Sequence, residues 1–152
     1  MGAPPARAAA IRPVHEDDAA ALAELLAQLG HPLALDQVAA NVRALLASPG
    51  YGTFAAVLEE RVVGAVSAFA TPVLHRPRPV GRVSVLVVDE ALTGRGIGAA
   101  LLGHAEEFLR ALGCARIEVT SATHREAAHR FYRQHGYAQQ GLRFSRELPA
   151  RE

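Results

Sequence analysis

Apolar residues recur along the chain with two different spacings, and the change between them predicts the order of elements. Residues 83–88, VSVLVV, form an apolar and largely β-branched run that predicts a strand buried on both faces. After a glycine-rich turn, apolar residues from Leu101 to Leu112 recur at the spacing of one helix face. The stretch 82–112 therefore predicts a strand, a turn and a helix, and the other elements are predicted on either side of it.

The rest of the chain shows the same two spacings, interrupted by glycine, proline and acidic residues. Together with the central strand and helix, these segments predict seven strands and four helices. The length and the apolar content are enough for one domain over residues 1–152, with residues 1–7 as a flexible tail. The further predicted elements are strands at 8–13, 52–58, 61–71, 116–120, 137–140 and 142–148, and helices at 19–29, about 36–48 (capped by Asp36) and about 125–135.

Composition narrows the classes of function. Half of the residues are apolar, the net charge is +1, and the sixteen basic residues, all arginine, are scattered rather than arranged in a stripe. This pattern excludes a typical nucleic-acid binder. Cys114, the single cysteine, cannot form an internal disulfide, and its apolar neighbours favour a packed, inert thiol over a nucleophile. With no apolar segment of signal-peptide or membrane-span length, we expect a cytoplasmic protein without a membrane partner.

The glycine-rich turn, TGRGIG at residues 93–98, is the first candidate for chemistry. A strand that passes through such a turn into a helix directs backbone N–H groups and the positive end of the helix dipole at one point, which favours an anion such as phosphate. Arg95 adds a cation inside the turn. The spacing matches neither the dinucleotide-binding G-x-G-x-x-G nor a Walker A loop. A plain, tight strand-to-helix connection is the alternative interpretation of the glycines.

Two motifs together resemble the GNAT superfamily of N-acetyltransferases. Residues 93–98 align with the family's Arg/Gln-x-x-Gly-x-Gly/Ala loop, with threonine in place of the first Arg or Gln. About thirty residues later, the family's Ala-x-x-Phe-Tyr-x-x-x-Gly-Tyr pattern occurs. The resemblance implies the acyl-CoA N-acyltransferase fold, a three-layer α+β structure whose mixed, mostly antiparallel sheet of seven strands has helices on both faces. The second pattern consists of Ala128, Phe131, Tyr132, Gly136 and Tyr137.

The same resemblance implies acetyl-CoA as co-substrate and no metal ion. Backbone amides of the loop would hold the pyrophosphate, and the end of the central strand would pair with the pantetheine arm, with an N–H near Val88 polarising the thioester carbonyl. Arg125 lies where the family often has an Asn that contacts the cofactor. The implied cofactor-binding residues are Leu86, Val87, Val88, Thr93, Gly94, Arg95, Gly96, Ile97, Gly98, Ala99 and Arg125.

Two catalytic residues follow from the resemblance and from the demands of amide formation. Tyr132 occupies the position of the family's general acid, which protonates the leaving thiolate; on spacing alone it would be a core tyrosine. The acceptor ammonium must lose a proton before it attacks, and Glu118, on the strand beside the central one, is our candidate base. A surface carboxylate is the alternative for Glu118. Asp89 and Glu90 are weaker candidates, because their position in the turn suits a role in shaping it.

The histidines do not have metal-ligand spacing. His124, His129 and His135 do not share one helix face, and no cysteine accompanies them. His124 and Arg125 are instead candidates for a contact with the phosphates of the cofactor.

These observations predict an enzyme that moves acetyl from acetyl-CoA to the primary amine of a small molecule or peptide by direct attack on the thioester. The alternatives are a non-catalytic acyl-CoA-binding or regulatory module of the same fold, and an unrelated phosphate-binding domain. The sequence does not decide whether the acceptor is an anionic amine, a polyamine or aminoglycoside, or a peptide. Acceptor loops are expected at residues 29–36 and 71–80, where His75, Arg76 and Arg78 form either a solvated surface or a wall of the site. A homodimer is compatible with the family.

Overall fold

The computed structural model describes residues 8–121 and 125–151. It divides into two compact units, Met1–Thr120 and Ser121–Glu152, and each is considered by itself. The predicted tail at 1–7 and the predicted phosphate contact of His124 lie outside the described residues.

The first unit is built on a five-stranded sheet in the order β1-β2-β3-β4-β5. Neighbouring strands are antiparallel except for β4 and β5, which are parallel, because a crossover helix joins them. The sheet is therefore mixed and mostly antiparallel. Its strands are β1 (Ala10–Pro13), β2 (Tyr51–Leu58), β3 (Arg61–Thr71), β4 (Val80–Val88) and β5 (Arg116–Val119).

Three helices of this unit lie on the two faces of the sheet. Residues of α1 (Ala19–Leu29) and α2 (Leu35–Leu46) form one buried cluster with Ala55, Ala65 and Val87 of the strands. The helix α3 (Ile97–Ala111) packs on the opposite face through its fully buried leucines 101, 102 and 109. Since a Cβ on Gly81 would come within 2.8 Å of the Leu109 side chain, glycine there allows α3 to lie close to the sheet.

Helix boundaries agree with the sequence except at the start of α2. Gly30 ends α1 in the left-handed conformation with φ 96°, as a C-terminal glycine does. Asp36 does not cap α2 as predicted, because the helix begins two residues earlier, with Ala34 at the N-cap position. The Asp36 carboxylate instead accepts the N–H of Gln37, at 2.9 Å, within the first turn, where a negative charge still favours the helix dipole.

A partly buried ion pair between Arg12 and Asp18 fixes the connection between β1 and α1. Arg12 donates two hydrogen bonds to the Asp18 carboxylate, at 2.8 and 2.9 Å, and the backbone N–H of His15 donates a third at 2.8 Å. Asp18 is 8% exposed. The hydrogen bonds from Arg12 outweigh the effect of burial and hold the pKa of Asp18 below its ordinary value. The acidic residues expected to begin α1 form a short 3-10 helix, Glu16–Asp18.

The β2–β3 hairpin turns at Glu59 and Glu60, the two residues between the strands predicted at 52–58 and 61–71. Both residues have positive φ, 50° and 66°, the backbone of the two-residue hairpin turns that usually carry Asn-Gly. Left-handed backbone in non-glycine residues costs about 1–2 kcal/mol each.

The prediction of seven strands was wrong. The second unit contains one helix, α4 (Glu126–Gln134), and the described residues that follow it to 151 form no strand. The apolar alternation of 142–148 predicted a strand, but alternation indicates only which side chains share a face. A strand also needs a hydrogen-bonding partner, and here the side chains of Leu142, Phe144 and Leu148 are about 80% exposed or more.

Candidate active site

The strand β4 extends beyond the end of β5, its parallel neighbour in the sheet. Their pairing runs from Val80 with Arg116 to Val83 with Val119, whereas β4 continues to Val88. Among the described residues no strand pairs with the β5-side edge of β4 beyond Val83. An extended amide chain could add to this edge by main-chain hydrogen bonds, in the way that peptides add to sheet edges.

The candidate arm-binding residues Leu86, Val87 and Val88 all lie on the part of β4 whose β5-side edge is open. Their other edge pairs with β3. Val87 is buried in the cluster with α1 and α2, whereas Leu86 and Val88 are half-buried. The prediction of a strand buried on both faces was thus too strong. The exposed Ser84 also departs from it.

Ser84 marks a β-bulge that the sequence analysis missed. The pairing of β3 with β4 shifts between Ser67 and Ala68, which pair with Val85 and Val83, so Ser84 is the extra residue. Its hydroxyl donates to the carbonyl oxygen of Ser67 at 3.2 Å. Bulges bend a strand and end or redirect its pairing, and this one lies where β4 leaves β5. The signal in the sequence was a single serine inside an apolar run.

A network of hydrogen bonds fixes the turn that follows β4. The Asp89 N–H donates to the carbonyl oxygen of Val63 at 2.8 Å, and the Asp89 carboxylate accepts the N–H of Ala91 at 3.1 Å. Gln28, near the end of α1, accepts the N–H of Glu90 through its side-chain oxygen at 3.0 Å. Asp89 and Glu90 therefore shape the turn, as expected. Gln28 was missed, since its partner is 62 positions away in sequence.

The glycine-rich turn leads directly into α3. Gly94 and Gly96 both have left-handed backbone, with φ 80° and 79°, and Gly96 is the N-cap residue without a capping side chain. The N–H groups of the first helical turn have no partner within the helix, and no acidic residue lies in that turn. This part of the molecule can therefore hold an anion by backbone N–H groups and the helix dipole.

The side chains of this turn differ in exposure and in their partners. Arg95 is exposed, Gly98 and Ala99 are half-buried, and Ile97 is buried in the core. Thr93, at the position where the family usually has Arg or Gln, donates its hydroxyl to the carbonyl oxygen of Glu90 at 3.4 Å.

Glu118 lies between two arginines on the face of the sheet opposite α3. Its carboxylate is 3.3 Å from a terminal nitrogen of Arg82 and 3.5 Å from Nε of Arg116. All three side chains are 37–43% exposed. Glu118 is thus neither a buried carboxylate nor an isolated one, and neither arginine was identified from the sequence.

In the second unit, Tyr132 is half-buried among aromatic rings of α4 and the following turn. Its ring makes edge contacts with those of Phe131 and Tyr137, at centroid distances of 5.4 and 5.7 Å. Burial raises the pKa of Tyr132, and the charge of Arg125 opposes that rise. The phenol consequently stays protonated at neutral pH and can act as a donor. Arg125 is the N-cap residue of α4 and is itself exposed.

The described residues also bear on two other kinds of site. No three His, Cys, Asp or Glu side chains among residues 8–121 and 125–151 are arranged to hold a metal ion. None of the described helices is long and apolar enough to cross a membrane. Cys114 is buried, and burial raises the pKa of its thiol, which agrees with the expected packed and inert cysteine.

Comparison with known proteins identifies the family. The model of the acetyltransferase (GNAT) family matches residues 19–137. An aminoalkylphosphonate N-acetyltransferase of Salmonella typhimurium is 35% identical over 130 residues, which cover 85% of this chain and 82% of the relative. A putative acetyltransferase from Agrobacterium tumefaciens is 28% identical, with a TM-score of 0.82 over 91% of this chain and 99% of its own.

The fold is shared more widely still. An aminoglycoside N-acetyltransferase in complex with CoA has a TM-score of 0.83 at 16% identity, over 95% of this chain and 99% of its own, a likeness of fold alone. Because the family model spans most of the sequence and the curated relative covers most of both chains, this chain belongs to the acetyltransferase (GNAT) family.

Proposed function

We propose that this N-acetyltransferase moves the acetyl group of acetyl-CoA to the primary amine of a small molecule by direct attack on the thioester. The observation that carries the proposal is the edge of β4 that has no paired strand beyond Val83 among the described residues, beside a glycine-rich turn and a helix start. A small-molecule acceptor is supported by the curated relative, which is named for an aminoalkylphosphonate.

The cofactor fits two features of the first unit. The left-handed backbone of Gly94 and Gly96 and the start of α3 suit a pyrophosphate, held by the N–H groups of the turn together with Thr93, Arg95 and residues 97–99. The unpaired edge of Leu86, Val87 and Val88 suits the amides of the pantetheine arm. When bound, acetyl-CoA supplies the activated acetyl group. An N–H near Val88 would then stabilise negative charge on the thioester oxygen.

Tyr132 is proposed as the general acid. Because burial raises its pKa, the phenol is protonated when the reaction starts and can donate to the sulfur as the thiolate leaves. We propose Arg125, which precedes α4, as a further contact to the cofactor, replacing the Asn that the family often has there.

Glu118 is proposed to bind the acceptor ammonium and to accept its proton directly or through water, because only the neutral amine is a nucleophile. Its exposure leaves it accessible to a substrate. It lies one residue before the last β4–β5 pair, Val83 with Val119, and hence beside the point where β5 ends and the open edge of β4 begins. We also infer a cytoplasmic location, which the single, buried Cys114 supports.

The central test is Tyr132→Phe, compared with Tyr137→Phe as a control that removes a phenol from the neighbouring ring. Acetyl-CoA Kd is measured by calorimetry and turnover by release of free thiol with a panel of small amines. We expect Tyr132→Phe to lower kcat by about 100-fold or more, the usual contribution of a general acid, with Kd within about threefold of wild type. Tyr137→Phe should retain most of its turnover.

Each other outcome would change the proposal. Small, equal effects of both substitutions would remove Tyr132 from the chemistry. Tight acetyl-CoA binding without thiol release for any amine in the panel would favour the non-catalytic module, and absence of acetyl-CoA binding would contradict the cofactor site itself.

A further inference from the structure

One row of side chains crosses four strands on the face of the sheet opposite α3. The register pairs Tyr51 with Phe69, Phe69 with Arg82, and Arg82 with Glu118. Paired residues of neighbouring strands point to the same face. The Tyr51 and Phe69 rings stack at a centroid distance of 4.9 Å, and the Arg82 and Glu118 side chains are 3.3 Å apart. Together with Arg116, these residues are called the acceptor strip below.

The acceptor strip lies on the same face of the sheet as α1 and α2, but outside the area that these helices cover. In the next row the hydroxyls of Thr53 and Ser67 are 2.9 Å apart, and beyond them Ala55 and Ala65 belong to the core under these helices. The strip itself is accessible, because Tyr51 is 41% exposed and its charged members are similarly exposed.

The charge of the strip is unbalanced. Two guanidinium groups, of Arg82 and Arg116, flank the single carboxylate of Glu118, which leaves a net charge of +1. A guanidinium carries five N–H donors in a planar fork that matches the oxygens of phosphonate, phosphate or carboxylate. Among the hydrogen bonds of the described residues, the Arg82 side chain donates only to Glu118. The strip can therefore accept a further oxyanion.

The position of the strip connects this charge to the reaction. Arg82 and Glu118 form the pair before the last one between β4 and β5, so they lie at the start of the open β4 edge proposed for the pantetheine arm. We propose that the acceptor is a zwitterion, a short primary amine whose chain carries an oxyanion, and that Arg82 with Arg116 binds this oxyanion while Glu118 binds the ammonium. This specificity rests on the proposed function, since it places the acceptor beside the cofactor.

Two amines of similar length test the charge requirement. Aminoethylphosphonate carries the oxyanion and ethanolamine does not, and kcat/KM is measured for both at saturating acetyl-CoA. We expect wild type to prefer aminoethylphosphonate, and Arg82→Gln to reduce this preference by about 10- to 100-fold, the usual effect of a charged hydrogen bond, through KM for the phosphonate. Arg82→Lys keeps the charge without the fork and should restore part of the preference. Arg110→Gln, at an exposed position of α3 paired with Glu107, is the matched control and should leave both amines unchanged.

A second measurement separates the anion site from catalysis. Ethylphosphonate has no amine, so its binding by calorimetry reports the oxyanion site even if no amine is acetylated. Binding to wild type that Arg82→Gln weakens about tenfold or more supports the inference. The acceptor strip is not an oxyanion site if ethylphosphonate binds equally to wild type and Arg82→Gln, or to neither. The same conclusion holds if Arg82→Gln lowers kcat/KM equally for ethanolamine and aminoethylphosphonate. Acetylation of ethanolamine in that case would leave the proposed function intact.

Discussion

Alanine in place of Gly96 isolates the role of the left-handed turn that begins α3. Gly96 has φ 79° and ψ 6°, and apart from its chain neighbours nothing lies within 4 Å of the position its Cβ would take. The substitution adds no close contact, so its cost comes from the backbone conformation, about 1–2 kcal/mol for an L residue. At about 2–4 °C for each kcal/mol in a chain of this size, Tm should fall by about 2–8 °C.

The same conformational cost should weaken the cofactor. The cost disfavours the one backbone arrangement in which the N–H groups of the turn converge. The fraction of the protein that is able to bind CoA falls by the corresponding factor. Since 1.4 kcal/mol corresponds to tenfold in an equilibrium constant, we expect the CoA Kd to rise by about 5- to 30-fold. Calorimetric titration with CoA measures this Kd without any acceptor.

Two controls separate strain from binding. Gly103→Ala lies in the interior of α3 with open space around its Cβ, and should stabilise the protein by about 0.5–1 kcal/mol without changing Kd. Glu60→Gly relieves the left-handed backbone strain of a non-glycine residue at φ 66°. The resulting rise in Tm measures what such strain costs in this fold. If Gly96→Ala lowers Tm but binds CoA as tightly as Gly103→Ala, the turn does not hold the pyrophosphate, and our reasoning about the cofactor is refuted.

Two further predictions concern contacts that hold the first unit in shape. Asp18→Asn should lower the free energy of unfolding at pH 7 by about 2–3 kcal/mol, because it removes the charge that Arg12 pairs with. Folding lowers the pKa of Asp18. The stability that the ion pair contributes is therefore present above the ordinary pKa of about 4 and is lost as the pH falls through the pKa of the folded state. Urea unfolding curves of variant and wild type should thus converge in acid, and a constant difference between them would contradict the pairing. Gln28→Leu removes the acceptor of the Glu90 N–H, and we expect the CoA Kd to rise by about 2- to 10-fold, whereas Gln37→Leu on the exposed side of α2 should bind CoA as wild type does.

Most of the first unit was predictable because its signals are local. The strand, glycine turn and helix at 83–111 are encoded in consecutive residues, and the hairpin at Glu59 and Glu60 follows from the length of its turn. The candidate cofactor residues of this unit came from the same stretch, and their role stays a prediction.

What could not be predicted depends on pairing between distant parts of the chain. Residues 142–148 have the alternation of a strand, but alternation does not supply a neighbouring strand. Gln28 and Glu90 are linked across 62 positions, and Arg82 and Glu118 across 36, with no pattern in sequence to join them. Pairings of this kind became visible only once the sheet register was known.

The bulge at Ser84 shows how register decides chemistry in this fold. Strict alternation along β4 would place Arg82 on the same face as Leu86 and Val88. Because Ser84 is an extra residue, Arg82 instead shares its face with Val85 and Val87, which pack toward α1 and α2. One inserted residue thus places Arg82 on the face of the acceptor strip, whereas the segment after the bulge, residues 86–88, carries the open edge that we propose for the cofactor. Alternation in the sequence alone gives the opposite face for Arg82, and this explains why the arginine was not recognised as a site residue.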